Sequence, residues 1–367
     1  MISNKSIFAN QCFDLPIKSE EDFSQSLKNI YKEFLTIING FTGDVHSSLI
    51  SNKPIIEKQC ISLIKVVDTF LNGFPGQAYF ILKECMDELN SLSLLEIQRS
   101  LTATEKGNLY RVRADVRSQL KQKDVFHIPF DLREKVATQR YSIPGLPCLY
   151  LGDSIFVCWE EMDRPALSNL HVSRFDLSLS DFKLLDLNIN TNDLRKRCFP
   201  GNKEKFIPHL VKFITYWPLL AACSFIVRKP TEVFKPEYIV PQLLLQWIVD
   251  AEGVDGIKYK SNRVKVGPNN VGSFTNVVIP VKQISNKGFC KILSKKIKFT
   301  NPISWSLLEA TDPKQDFLED SGEDLNLNAM RRASYIEIIE GERTIYITSK
   351  FGILEEKLKT MTSKLLT

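Results

Sequence analysis

A chain of 367 residues with 43% hydrophobic and 25% charged side chains is long enough for two or more domains and rich enough in apolar residues to bury a sizeable core. Its net charge is only +5, split as −3 over residues 1–100 and +8 over the rest, so no concentrated basic face for direct nucleic-acid binding is expected. The slight basic excess suits a phosphate-bearing small molecule. The 8 scattered cysteines form no CxxC pair, the 4 histidines have no metal-ligand spacing, and there is neither a basic-then-apolar leader nor an apolar run of membrane length, so the expectation is a cytoplasmic protein with reduced thiols, no metal and no membrane association.

Residues 1–100 read as an N-terminal helical bundle. Ser19 followed by Glu20, Glu21 and Asp22 suits a helix start. Phe23, Leu27, Ile30, Phe34 and Ile37 then recur at steps of three and four, as the apolar stripe of an amphipathic helix does. A second helix is predicted over Ile55–Leu71, and a third over Ala78–Leu89 beyond the break GFPGQ. No chemical constellation falls in these helices, which leaves them packing and partner contact.

The character changes in residues 101–285. LYRVRADVR alternates apolar and basic residues like a strand, which puts Arg111 and Arg113 on one face. The stretch Gln139–Glu161 (QRYSIPGLPCLYLGDSIFVCWEE) then offers Arg140, a Pro144-Gly145 turn, a strand through Tyr150, and a helix from Ile155 capped by Asp153-Ser154 that carries Glu160 and Glu161. Strand and loop signals mix over 167–187, and helices are predicted over 206–227 and 238–250. Strands are predicted at Ile257–Tyr259, just before Ser261, and at the β-branched Phe274–Val281. Residues 286–367 form a C-terminal extension, expected to hold a Lys-rich strand (KILSKKIKF), an acidic linker over 311–326, a hairpin turning at Glu340-Gly341, and a helix over Leu354–Leu366.

These residues carry recognisable chemistry, each beside an ordinary alternative. Two arginines can clamp a pyrophosphate, because guanidinium offers fixed paired donors, or can serve as surface ion-pair partners. Tyr150 can stack on a flat ring or fill a core. A carboxylate can stabilise oxocarbenium charge at a sugar carbon, whereas a glutamate pair on a helix commonly faces solvent. Adjacent helical positions diverge by about 100°, so at most one of Glu160 and Glu161 points into a pocket. Ser261 suits a ribose or phosphate, or simply a turn. His127 has no sequence neighbour to act with and reads as a packed imidazole. GxSxG, P-loop and GxGxxG patterns are absent.

Taken in order, the motifs resemble the RES-domain family, named for its arginine, glutamate and serine. LYRVR resembles the first arginine motif. RYSIPGLPCLYLGDSIFVCWEE resembles the second, followed by its aromatic and its glutamate. EYIVPQLLLQWI, VDGIKYKS and TNVVIP resemble the closing segment, and the likeness spans roughly residues 107–282. The resemblance implies an α+β, ADP-ribosyltransferase-like mixed sheet core flanked by helices, here with the added N-terminal bundle. It also implies an enzyme that consumes NAD as substrate by hydrolysis or phosphorolysis of the nicotinamide–ribose bond, with many family members acting as toxins paired with a cognate antitoxin; a defence effector is a further expectation, drawn from the added N-terminal helices. Carried over to this sequence, Glu161 (eleven residues after Tyr150, in preference to Glu160), Tyr150 and Arg111 are the catalytic set. Arg140, Ser261, Arg113 and Asn276 are the NAD-binding set. Two alternatives stay open: transfer of ADP-ribose to a macromolecule, and a non-catalytic interaction module.

Overall fold

A computed structural model describes residues 10–99, 108–117, 119–177, 181–189, 203–265, 267, 270–272, 274–310 and 334–366. The chain divides into two units that each recruit separated stretches: 1–97, 137–144 and 185–253 in the first, and 98–136, 145–184 and 254–367 in the second. This differs from the expected boundaries at 100 and 285, and the cause lies in where apolar faces find cover.

The first unit is helical. Asp22 caps α1 (Phe23–Asn39), its side chain accepting from Gln25 N at 3.0 Å; of the predicted stripe Phe23, Leu27, Phe34 and Ile37 are buried, while Ile30 is only half-buried and Tyr31 and Ile38 turn inward beside it. Three more helices follow: α2 (Gly43–Leu49), α3 (Lys53–Leu71) and α4 (Pro75–Ser91). The later helices Lys203–Cys223 and Ile239–Asp250 complete this unit, because their broad apolar faces bury Trp217 and Trp247. Phe34 stacks on Trp217 with ring centres 4.2 Å apart, Tyr31 Oη donates to Pro218 O at 2.7 Å, and Trp247 Nε1 donates to Asp87 Oδ1 at 2.8 Å. The Tyr31 hydroxyl and the Trp247 indole thus each have a partner, whereas the buried Trp217 Nε1 has none among the described residues.

The second unit is α+β, a sheet flanked by helices. Its strands are β1 (Asn108–Ala114), β2 (Cys148–Gly152), β3 (Leu170–Asp176), β4 (Gly256–Lys260), β5 (Thr275–Pro280), β6 (Lys298–Phe299) and β7 (Ile303–Ser304). Their order is β4-β5-β2-β1-β3-β6, with β7 also on β3, through antiparallel ladders. Strand β1 pairs with β3 from Asn108↔Asp176 to Ala114↔Leu170 but meets β2 at Tyr110↔Gly152.

Both faces of the sheet are covered. Leu109, Leu149, Leu151, Phe175, Val277 and Ile279 build one core, and Tyr110, Val112, Leu170 and Val172 build the other, against α5 (Ile155–Glu161) and α7 (Lys350–Thr360). Strand β5 is therefore buried at every position, which explains its unbroken apolar pattern.

The C-terminal extension belongs to this same unit rather than standing apart. Its predicted Lys-rich strand is instead the helix α6 (Lys291–Lys296) followed by the two-residue β6. Leu293 and Ile297, four apart, point inward while the lysines point out, so the period is helical. The predicted hairpin is present as β8 (Tyr335–Ile336) and β9 (Thr344–Ile345). The last helix runs from Lys350 to Thr360, starting earlier than expected because Ser349 caps it by accepting from Gly352 N, and ending earlier, before Lys364 forms an antiparallel bridge to Phe299. The acidic stretch 311–326 lies outside the described residues.

Candidate active site

Glu161 closes helix α5. The helix starts where Ser154 accepts from Val157 N at 3.2 Å, and Ile155, Phe156, Val157, Cys158 and Trp159 are all buried. The chain then turns back through Asp163 and Arg164, both left-handed at φ +60° and +51°. Consecutive non-glycine residues in that region are strained and recur at functional sites. The turn is held by Arg164 N donating to Trp159 O at 3.0 Å, by Trp159 Nε1 donating to Pro165 O at 2.8 Å, and by the Arg164 guanidinium 5.0 Å over the Trp159 ring.

The two glutamates take different partners. Glu160 pairs with Arg164 at 2.7 Å, one helical turn on. Glu161 Oε1 accepts from Ser261 Oγ at 2.6 Å and from Asn276 Nδ2 at 2.7 Å, while Arg263 Nε stands 3.7 Å from Oε2. Neighbouring strands supply both donors. Ser261 follows β4 directly, and Asn276 in β5 pairs with Tyr259, so Ser261 and Asn276 lie on one sheet face. The Ser261 hydroxyl has its acceptor side occupied by Arg263 N and Val264 N, each at 3.3 Å, so its single proton is directed to Glu161. Ser261 and Asn276 are buried, whereas the Glu161 side chain keeps 31% of its surface open. A carboxylate held on one oxygen and open to solvent is poised to accept hydroxyl donors.

The remaining expected residues are placed less uniformly. Tyr150 shares the face of Asn276, two positions along the β2–β5 ladder from Gly152↔Asn276, and burial holds its phenol well above the ordinary range. Arg111 lies on the opposite face of β1 and reaches β2 where the two strands part, donating from Nη1 to Tyr150 O at 3.0 Å. Burial pulls its guanidinium down to about 10, the mark of a desolvated cation. Arg113 is exposed and donates to Asp124 O, with Asp115 at 3.9 Å. Arg140 belongs to the first unit, where its terminal nitrogens donate to Cys223 O and Phe225 O at 3.3 and 2.8 Å and its guanidinium lies 5.1 Å over Tyr238. The structure therefore brings together Glu161, Ser261 and Asn276 directly and joins Tyr150 with Arg111 through a backbone carbonyl. Arg113 and Arg140 are engaged elsewhere.

His127 is structural. Its Nε2 accepts from Cys290 N at 2.9 Å, which assigns the ring proton to Nδ1, the donor to Ile128 O at 2.8 Å. Burial lowers its pKa to about 4, so the ring stays neutral.

Arg263 and Arg164 were not singled out from the sequence, although Arg263 stands two residues after Ser261. With Glu160 and Asp163 they line a depression of about 310 Å³ beside Glu161, and Arg263 also pairs with Asp163. The signal was available in KSNR, where an arginine after the serine motif can turn back toward the glutamate, but only the fold shows that it does.

The chain is 31% identical over 318 residues to the Bacillus subtilis (strain 168) protein named "Putative toxin YopC", an alignment covering 83% of this chain and 71% of that protein. The chain belongs to the YopC family. No protein-family model matches it, and no solved structure matches it. Among the described residues no helix is long and apolar enough to cross a membrane.

Proposed function

We propose that this chain is an NAD-consuming toxin of RES type, with an ADP-ribosyltransferase-like core that breaks the nicotinamide–ribose bond. The observation that carries the proposal is the fixing of Glu161 by Ser261 and Asn276, which lie 100 and 115 positions further along the chain yet bond to one carboxylate oxygen. In this reading the carboxylate accepts the ribose hydroxyls and stabilises positive charge at the anomeric carbon as nicotinamide departs with the bonding electron pair. Water or phosphate then supplies the new bond to that carbon and releases a proton. Tyr150 packs against the nicotinamide ribose. The name of the YopC relative supports the toxin part, and a cognate antitoxin is the proposed partner.

The test is incubation of the purified full chain with NAD, with and without phosphate, followed by product identification. Nicotinamide release that is lost in Glu161→Gln supports the proposal, and NAD surviving prolonged incubation refutes it. If labelled ADP-ribose becomes fixed on a macromolecule, transfer replaces hydrolysis or phosphorolysis as the second step.

A further inference from the structure

Helix α5 has only seven residues, too few to hold its own geometry, yet the position of Glu161 depends on it. What holds it comes from the far end of the chain. At its first turn, Ile155 N donates to Glu355 Oε1 at 2.7 Å, across 200 residues, and Tyr346 Oη donates to the same oxygen. Along its middle, the Phe351 ring lies 5.9 Å from Phe156 and 5.5 Å from Trp159. Just past its last turn, Arg164 binds Glu160 and also donates to Glu337 O at 3.0 Å and Ile338 O at 3.1 Å, in the hairpin. One segment, 334–366, thus grips both ends and the side of the helix that carries the glutamate.

We infer that residues 334–366 position Glu161, with Glu355 and Arg164 as the positioning residues at the two ends of α5. This rests on the reading of Glu161 as the catalytic carboxylate. Neither positioning residue needs to touch substrate. Their effect is on the placement of the α5 axis, and with it the Glu161 bonds to Ser261 and Asn276. An error of about 1 Å in such a placement costs on the order of 100-fold in rate.

The grip at the first turn also titrates. Glu355 faces Tyr346, Asp153, Lys359 and the Ile155 amide, and burial, its largest influence, pushes it up to about 8, while burial pushes Asp153 up to about 7. Burial favours the neutral carboxyl here, and the bonds donated by Tyr346 and Ile155, which favour the carboxylate, offset it only in part.

The experiment compares Glu355→Ala and Glu355→Gln in the full chain. Glutamine keeps a carbonyl oxygen for Ile155 N and Tyr346 Oη but cannot ionise. Glu355→Ala is expected to lower kcat for nicotinamide release by about 10- to 100-fold with KM for NAD changed less than about 3-fold. Glu355→Gln is expected to restore kcat. A folded Glu355→Ala with wild-type kcat, or a Glu355→Gln as impaired as the alanine, overturns the inference. Amide hydrogen exchange, which needs no substrate, separates this from failure of the proposed activity. Faster exchange confined to 155–161 in Glu355→Ala supports the grip even if NAD is not consumed, and unchanged or uniformly faster exchange refutes it.

Discussion

Ser261→Ala tests the site most directly, because the structure assigns every bond of the hydroxyl. The substitution removes the 2.6 Å donor to Glu161 Oε1 and leaves Asn276 as the remaining short donor to that oxygen. A hydrogen bond to a charged group contributes about 1.5–3 kcal/mol, and each 1.4 kcal/mol is a factor of ten, so kcat for nicotinamide release should fall by about 10- to 100-fold. The hydroxyl also accepts from Arg263 N and Val264 N at 3.3 Å, long bonds whose loss should cost about 1 kcal/mol of stability. Asn276→Ala should give a comparable rate loss. Because the two donors share one oxygen, the double variant should lose less than the product of the single losses. Initial rates of nicotinamide release and urea denaturation separate the two effects. A stable Ser261→Ala with unchanged kcat and KM would show that this hydroxyl does not act on the reaction, and the proposed role of the Glu161 set would fall with it.

Three further expectations follow from other parts of the molecule. Folding lifts the Glu355 carboxyl from 4.5 to about 8, so the folded state holds the extra proton between those values. This contribution to stability is therefore complete below about pH 4.5 and lost as pH rises through 8, up to roughly 5 kcal/mol at 1.36 kcal/mol per unit. Urea midpoints at pH 5 and pH 8 should show the fall, and Glu355→Gln should flatten it; a profile equally steep in the variant counts against this assignment. Gly152→Ala would place a methyl 2.8 Å from Cys158 Sγ and should destabilise by about 1–3 kcal/mol, with partial relief in the double variant that adds Cys158→Ala; equal melting temperatures for wild type and Gly152→Ala would refute this. In the first unit, Tyr31→Phe removes the bond to the Pro218 carbonyl and should cost about 1 kcal/mol without altering nicotinamide release, a result that calorimetry and the rate assay check together.

The legible parts of this chain were those set by local pattern. The α1 stripe, the alternation in β1, the Ser154 cap and the β-branched run of β5 each act within a single element, and each matches the folded element in its type. The Lys-rich segment after Ser285 defeated that reading because lysines at 291, 295 and 296 suit either period, and only the burial of Leu293 and Ile297 decides for a helix. The boundaries were illegible for a different reason. Nothing in residues 203–253 states that Trp217 will stack on Phe34 or that Trp247 will reach Asp87, since those partners are more than 150 positions away.

The glutamate pair shows where sequence reasoning reaches and where it stops. Helical geometry alone required Glu160 and Glu161 to diverge, and spacing from Tyr150 favoured the second. The divergence agrees with the partners observed, Arg164 for one and Ser261 with Asn276 for the other. The same reasoning left the arginines between a phosphate clamp and ion pairing, because it had no means of counting competitors. Arg140 spends its terminal nitrogens on two backbone carbonyls. Arg113 turns to Asp124 O. Arg111 keeps most of its donor capacity in a desolvated place. A guanidinium carries five N–H donors, so its sequence position says little about function until the acceptors the fold brings to it are known. The carboxylate was easier to place because it needs donors, and the nearest available were a serine and an asparagine already ordered by adjacent strands.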